Sequence, residues 1–208
     1  MILAAALITA AAAAPAPPPI VAQHIPMPAK RKREMRAYSK RHYGKARLKL
    51  HPRVIVEHIA VASSAQAVIN TFAPDVPDPE LHELPNVCSH YLISESGKIL
   101  ELVSPRIRCR HTVGLNHVAI GIEHVGFSDG DVLHNRKRLR ASLRLTAYLR
   151  CTYGIAIRNV IGHSESLSSP YHRERVKRLR TQTHADWSHK SMRVYRRRLA
   201  RRACEAAG

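Results

Sequence analysis

Short apolar runs separated by turn-forming residues begin at residue 54 and continue through the middle of the chain. The run at 54–56 predicts a buried strand, and apolar residues at helical spacing in 64–72 predict a helix. The runs at 87–93 and 98–103 flank a polar turn that contains Gly97, and together they predict a β-hairpin. We therefore expect the first half of this region to fold as strand, helix and hairpin.

The second half of the pattern adds two strands and a long helix. The segment 119–126 predicts a strand in which Gly121 and Glu123 face the side opposite to the intervening isoleucines. Small or apolar residues then recur at every fourth position, at Leu139, Leu143, Ala147 and Cys151. This spacing predicts an amphipathic helix with an arginine-rich outer face that ends near Gly154. The run at 159–163 predicts another strand.

These elements predict an α/β (α+β) fold, with a central mixed β-sheet flanked by α-helices. Four segments are expected along the chain. Residues 1–29 form a leader and Pro-rich linker, 30–53 a basic arm, 54–190 the main domain, and 191–208 a basic C-terminal helix and tail. The arm and the basic stretch at 173–202 are expected to be solvated.

The chain carries a formal net charge of +19, from 34 Lys and Arg residues against 15 Asp and Glu residues. Such an excess favours a polyanionic partner, which could be nucleic acid, an anionic membrane surface or an anionic cell-wall polymer. No helix-turn-helix, zinc-finger or RNA-recognition signature is present, and few aromatic residues are available for base stacking. Both observations argue against nucleic acid.

The N-terminus combines an apolar stretch at 2–14 with a Pro-rich segment. This stretch is too short to span a bilayer, so no transmembrane span is expected. It fits the apolar region of a secretory signal, although no Lys or Arg precedes it. The alternative is an Ala- and Pro-rich leader that is not a signal.

The chain contains four cysteines, Cys88, Cys109, Cys151 and Cys204, and none lies in a CxxC zinc-binding pattern. Cys88 and Cys109 flank the predicted hairpin and are the expected disulfide pair, since export would permit disulfides. The alternative is a set of reduced thiols.

Three histidines follow apolar runs or an ordered loop, namely His58, His163 and His184. A strand end presents a ligand with little positional freedom, and a hydrolytic zinc site needs three protein ligands and an open position for water. These histidines are widely separated and have no local spacing signature. Spacing alone therefore favours a surface or core role for each of them.

Five sequence blocks follow one another between residues 54 and 187: VIVEHIAVASSAQAVINTF, VCSHYLISESGKILELV, CRHTVGLNHVAIGIEHVG, VIGHSES and QTHADW. Their order and spacing resemble the zinc-dependent N-acetylmuramoyl-L-alanine amidases of the amidase-2 type. That family is related to the peptidoglycan recognition proteins and to the lysozyme of phage T7. The resemblance implies a mixed sheet flanked by helices, with Zn²⁺ bound in a cleft on one side, and makes residues 54–190 the catalytic domain.

The resemblance also implies the zinc ligands. His58 matches the histidine that the family has at the end of its first strand, and His163 matches the second histidine ligand. The third ligand of the family is an Asp, Cys or His in a late loop. His184 occupies that place and is the expected ligand, with Asp186 as the alternative.

Further residues match the family's catalytic positions. Glu123 matches the acidic residue that assists the attacking water. His90 falls where the family has a Tyr or His beside the metal, and His111 matches a position that lines the cleft. In this family the broken bond is the amide between N-acetylmuramic acid and L-alanine.

Three residues are candidates for contact with substrate: Tyr91, Gln182 and Asp186. A place in the aromatic core is the simpler interpretation of Tyr91. Gln182 stands where the family has a Lys that stabilises the oxyanion, and this departure leaves open a protein that binds peptidoglycan without cutting it.

The expected partners are peptidoglycan or muropeptides, and the basic arms could hold the protein on anionic cell-wall polymers. The expected location is secreted or associated with the cell wall. It is cytoplasmic if the leader is not a functional signal.

Overall fold

A computed structural model describes residues 15–202 and residue 204. The apolar stretch at 2–14, interpreted above as a secretory signal, lies outside the described residues. Within them, no helix is both long enough and apolar enough to cross a bilayer.

Strands from both halves of the chain form one sheet. They are β1 (Ile20–Ala22), β2 (Val54–Ile59), β3 (Tyr91–Ile93), β4 (Ile99–Glu101), β5 (Ala119–His124) and β6 (Val160–Gly162). Among the described residues the sheet has six strands in the order β1-β4-β3-β5-β2-β6. β3 and β4 are antiparallel and form the predicted hairpin, with Gly97 at φ 82° in its turn. The other pairs are parallel, so the predicted mixed sheet is confirmed.

Helices cover both faces of the sheet. They are α1 (Ala29–Tyr43), α2 (Ala65–Phe72), α3 (Asp129–Leu133), α4 (Arg136–Thr152) and α5 (His189–Ala200). α2 begins where the Ser64 side chain accepts a hydrogen bond from the N–H of Ala67. Asn135 caps α4 in the same way. The helices predicted over 64–72 and before Gly154 are therefore confirmed.

The alternation of side chains along β2 and β5 separates the two sheet faces. Glu57 and His124 point towards α4 and α5, where Glu57 accepts a hydrogen bond from Thr146 of α4 at 2.8 Å. His58 and Glu123, which are paired in register, point to the opposite face, against which α2 packs. The face that carries α2 is therefore the face that carries the candidate chemistry.

Residues 30–53 are not the solvated arm that their charge suggests, because α1 packs against the domain. Its buried residues recur at helical spacing: Arg31, Met35, Tyr38, Ser39 and His42. The guanidinium of Arg31 donates to four main-chain carbonyl oxygens, those of Pro26, Ala73, Asn86 and Val87. Its Nε lies 3.8 Å from the Asp75 carboxylate, and a buried cation is tolerated where such partners surround it.

Two other segments depart from the expected organisation. The Pro-rich linker contributes β1, which pairs with the outer edge of β4. The basic stretch at 173–202 is only partly solvated, because α5 buries Met192, Tyr195 and Leu199 against the domain.

The described residues contain two disulfides. Cys88 is bonded to Cys109, as expected from the hairpin, and Cys151 is bonded to Cys204.

Candidate functional site

A cleft of about 580 Å³ opens beside the ends of β2, β5 and β6, on the face that carries α2. This volume is typical of a site for a small molecule or a short polymer segment. Its lining includes seven of the residues that the sequence singled out, namely His58, His111, Glu123, His163, Gln182, His184 and Asp186.

Three of these side chains converge on one point. His58 Nδ1 lies 3.0 Å from His163 Nδ1. The Asp186 carboxylate lies 3.4 Å from His163 Nδ1 and 3.8 Å from His58 Nδ1. One potential ligand atom from each of the three residues lies within 4.8 Å of the other two.

The geometry favours Asp186 over His184 as the third member of this group. The main-chain N–H of Ile59 donates to Asp186 Oδ2 at 3.0 Å, and the N–H of Ser164 donates to the Asp186 carbonyl oxygen at 3.1 Å. These bonds turn the carboxylate inwards. The His184 ring stacks on His163 with centroids 4.7 Å apart, but its Nε2 lies 3.1 Å from Glu80 at the cleft rim. The structure therefore places Asp186, the alternative, and not the expected His184 in the group with His58 and His163.

The orientation of His58 is set by a second histidine. His111 Nε2 lies 3.2 Å from the Ala119 carbonyl oxygen, which can only accept, so this nitrogen carries the proton of neutral His111. His111 Nδ1 is then an acceptor and lies 3.1 Å from His58 Nε2. With its proton on Nε2, neutral His58 donates to His111 Nδ1 or to the Thr112 hydroxyl oxygen at 3.2 Å. Its Nδ1 lone pair then faces His163 and Asp186.

The pKa of His58 supports a neutral ring. Burial, followed by the neighbouring His163 and His111, holds the pKa of His58 well below its ordinary value. A neutral imidazole is the form that binds a metal ion.

The loop that carries His111 is held by residues to which the sequence assigned no role in the site. A Cβ at Gly121 would lie 2.7 Å from His111 Cγ, so this glycine makes room for the ring. The Asn116 side-chain oxygen accepts hydrogen bonds from the N–H groups of His111 and Thr112, and its amide donates to the Tyr38 hydroxyl at 3.1 Å. Thr112 and Asn116 lie within the block CRHTVGLNHVAIGIEHVG, but their spacing gives no signal of these contacts.

Glu123 is a buried carboxyl group in the lining of the cleft. It is 8% exposed, and among the described residues its Oε2 has no hydrogen-bond partner. Burial, followed by the negative charge of Asp186, raises the pKa of Glu123 to about 8. A carboxyl group that titrates near neutrality suits proton transfer.

His90 and Tyr91 do not reach the cleft, which corrects the roles expected for both. His90 is fully buried; its Nδ1 accepts from the N–H of Gly121 at 3.0 Å, and its Nε2 donates to the Ile107 carbonyl oxygen at 2.9 Å. Burial lowers the pKa of His90 to about 4, so it stays neutral. Tyr91 points into the core on the α4 side, as its simpler interpretation required.

Gln182 lies at the cleft rim, where its amide donates to Glu80 at 3.0 Å. It brings no positive charge to the cleft. Among the described lining residues Arg110 is the one Lys or Arg, and its guanidinium is held by Asp78 at 2.8 Å. In the described part of the lining, no Lys or Arg is therefore free to stand next to the His-His-Asp group.

The converging group suits zinc. Two imidazole nitrogens and one carboxylate oxygen are ligands that zinc takes in hydrolytic enzymes, and three protein ligands leave a position for water. His163 Nε2 is buried without a described partner, which leaves its Nδ1 as the engaged nitrogen. The residues present therefore fit the ion that the sequence resemblance implied.

Comparison with known proteins supports the fold. No curated protein matches the chain by sequence. The solved structure of PlyL aligns with a TM-score of 0.54 at 15% identity, over 87% of this chain and 96% of that one. A crystal structure of an AmpD derivative aligns with a TM-score of 0.51 at 19% identity, over 72% and 84% respectively. At these identities the matches show a shared fold.

The family assignment rests on a family model rather than on single structures. The amidase-2 model, described as N-acetylmuramoyl-L-alanine amidase, matches residues 48–186, which is more than half of the chain. This range contains β2 to β6 and every residue of the His-His-Asp group. The chain therefore belongs to the amidase-2 family of N-acetylmuramoyl-L-alanine amidases.

Proposed function

We propose that the cleft hydrolyses the amide bond between N-acetylmuramic acid and L-alanine in peptidoglycan, with Zn²⁺ held by His58, His163 and Asp186. The convergence of two imidazole nitrogens and a carboxylate within 4.8 Å is the observation that carries this proposal. Bound zinc would polarise the scissile carbonyl and acidify water.

Glu123 is proposed as the group that moves the proton. It faces the same side of the sheet as its register partner His58, and it is buried in the same cleft. Part of the rise in its pKa comes from the charge of Asp186. When Asp186 binds a cation, that contribution falls, and Glu123 can take a proton from the attacking water and deliver it to the leaving amine.

His184 is proposed to face the substrate. Its ring stacks on His163 at the rim, and its side chain is 44% exposed. A histidine N–H near the scissile carbonyl can stabilise the developing oxyanion. His184 would thus supply the donor that is missing because Gln182 stands in place of the family's Lys.

Export is proposed as the setting of this reaction. The bonds Cys88–Cys109 and Cys151–Cys204 support it, because disulfides persist in oxidising compartments and are rare in the cytosol.

Mass spectrometry of peptidoglycan digests tests the reaction. Purified peptidoglycan is incubated with zinc-loaded protein, with protein stripped by EDTA, and with a zinc-loaded Glu123→Gln variant. The proposal expects free stem peptides that begin with L-alanine in the first digest alone. Bound zinc and bound muropeptide without any release would overturn it and support the recognition protein that Gln182 leaves open.

A further inference from the structure

A strongly basic surface lies on the side of the sheet away from the cleft. α4 and α5 contact each other there, and neither helix contains an Asp or Glu. Seven of their cations are exposed. They are Arg136, Lys137, Arg140 and Arg144 on α4, and Lys190, Arg193 and Arg197 on α5. We call these seven side chains the basic face.

The cations of the basic face are not neutralised by the protein itself. Among the described residues, none of the seven side chains forms an ion pair or a hydrogen bond with another group. The nearby acids are already engaged: Asp129 accepts from the N–H groups of Trp187 and Ser188, and Glu165 pairs with Arg196. This arrangement concentrates uncompensated positive charge, which attracts a polyanion.

The spacing of the charges suits an extended chain of anionic groups. Arg136, Arg140 and Arg144 repeat every fourth residue, which places successive charges about 6 Å apart along the helix axis. The α5 cations repeat at three or four residues in a second row. Five of the seven are arginines, whose planar guanidinium binds phosphate through two hydrogen bonds.

The composition of the face argues against two other polyanions. The exposed large apolar residues of the described chain lie outside α4 and α5. Tyr148, one turn after Arg144, is only partly exposed, so the face offers at most one ring for stacking against the bases of a single-stranded nucleic acid. It also offers no apolar side chains to insert below lipid headgroups.

We propose that the basic face binds a linear, base-free polymer that carries phosphate groups. His58 and Glu123 face the other side of the sheet, so a polymer held on the basic face leaves the cleft open to its substrate. This binding does not depend on the proposed hydrolysis. The sequence assigned the binding of anionic polymers to the basic arms, including residues 30–53. Because α1 is partly buried, we assign this binding to α4 and α5 instead.

Two variants of equal net charge test the proposal. The face variant replaces Lys137, Arg140, Arg193 and Arg197 with Gln. The control variant replaces one Lys and three Arg residues that are equally exposed on and after α1, namely Arg33, Arg36, Lys40 and Arg47. Circular dichroism confirms the fold of each, and Cys151–Cys204 and the cleft are untouched in both.

The readout is the affinity of the full-length chain for long-chain inorganic polyphosphate, measured by fluorescence titration between 50 and 200 mM salt. The slope of log affinity against log salt falls by about 0.7 for each lost phosphate contact with a single strand. We expect the face variant to lose roughly 3 units of slope and the control variant to lose far less. Equal losses in the two variants would overturn the proposal, because net charge alone would then explain binding.

Two further probes decide between polyanions. Single-stranded DNA and vesicles of phosphatidylglycerol are titrated against the wild type at matched phosphate concentration. Binding of polyphosphate at least as tight as either probe supports the proposal. Tighter binding of DNA or vesicles, lost in the face variant, would overturn it and assign the face to nucleic acid or membrane respectively.

Discussion

Replacing Asp186 with Ala should weaken zinc binding far more than replacing His184 with Ala. A structural zinc site with four ligands binds with about 10–16 kcal/mol, so one ligand contributes about 3 kcal/mol, or roughly 150-fold in Kd. The Asp186 carboxylate lies 3.4 Å from His163 Nδ1 and is aimed by the Ile59 N–H. We therefore expect Asp186→Ala to raise the Kd for zinc by roughly two orders of magnitude.

His184→Ala should change the Kd for zinc by less than about threefold, because the ring meets His163 by stacking and not through a shared ligand position. The assay is competition for Zn²⁺ with a fluorescent chelator, supported by the zinc-dependent rise in Tm. Asp186→Asn is the matched control. Its amide oxygen can still accept from Ile59, so a loss of zinc affinity in Asp186→Asn reports the carboxylate charge and not the loop anchor.

The opposite ranking would refute the reasoning. If His184→Ala lost a hundredfold while Asp186→Ala kept its affinity, the late loop would have to rearrange around the ion. The contacts of Asp186 with Ile59 and Ser164 would then not be those of the zinc-bound protein.

Three other predictions concern the reaction, pH and the disulfide. Glu123→Gln should lower kcat by about 10²- to 10⁴-fold with unchanged zinc stoichiometry by atomic absorption; undiminished turnover would remove Glu123 from the mechanism. Burial alone would lower the pKa of His42, but hydrogen bonds to Glu174 and Glu83, each 2.9 Å long, outweigh it and raise the pKa. The stabilisation from this raised pKa is complete below about pH 6.5 and is lost as pH rises through the folded pKa. In urea unfolding, His42→Gln should therefore lower the free energy of unfolding more at pH 6 than at pH 9. A loss that is the same at both pH values would contradict the ion pairs. Replacing both Cys88 and Cys109 with Ala removes a cross-link between residues 21 positions apart. The free energy of unfolding in urea should fall by about 3 kcal/mol. A fall of less than about 1 kcal/mol would show that the cross-link does not constrain the unfolded chain.

The alternation of apolar and polar residues determined most of the sheet. A strand places successive side chains on opposite faces, so the pattern at 119–126 correctly put Gly121 and Glu123 together. The same local rule gave the hairpin around Gly97 and the helices over 64–72 and before Gly154. These features depend on neighbours within a few residues, which the sequence displays directly.

Tertiary structure alone decided the third member of the His-His-Asp group. His184 and Asp186 are two residues apart in one loop, and either could turn inwards on local grounds. The choice depends on the main-chain N–H groups of Ile59 and Ser164, which lie 127 and 22 residues away from Asp186 in sequence. Contacts at that separation leave no trace in local spacing.

The same limit explains why charge misled the interpretation of residues 30–53. From the charge of its segment, Arg31 is predicted to be solvated. It is instead fully buried, because carbonyl oxygens from distant loops surround its guanidinium. Likewise, no residue close to His90 in the sequence indicates that its Nδ1 accepts a hydrogen bond from the N–H of Gly121. The sequence by itself determined the chemistry that the side chains bring and the strands β2 to β6, but not β1. Folding decided which polar groups find partners inside and which stay free for chemistry, because a buried polar group is stable only where distant parts of the chain supply its hydrogen bonds.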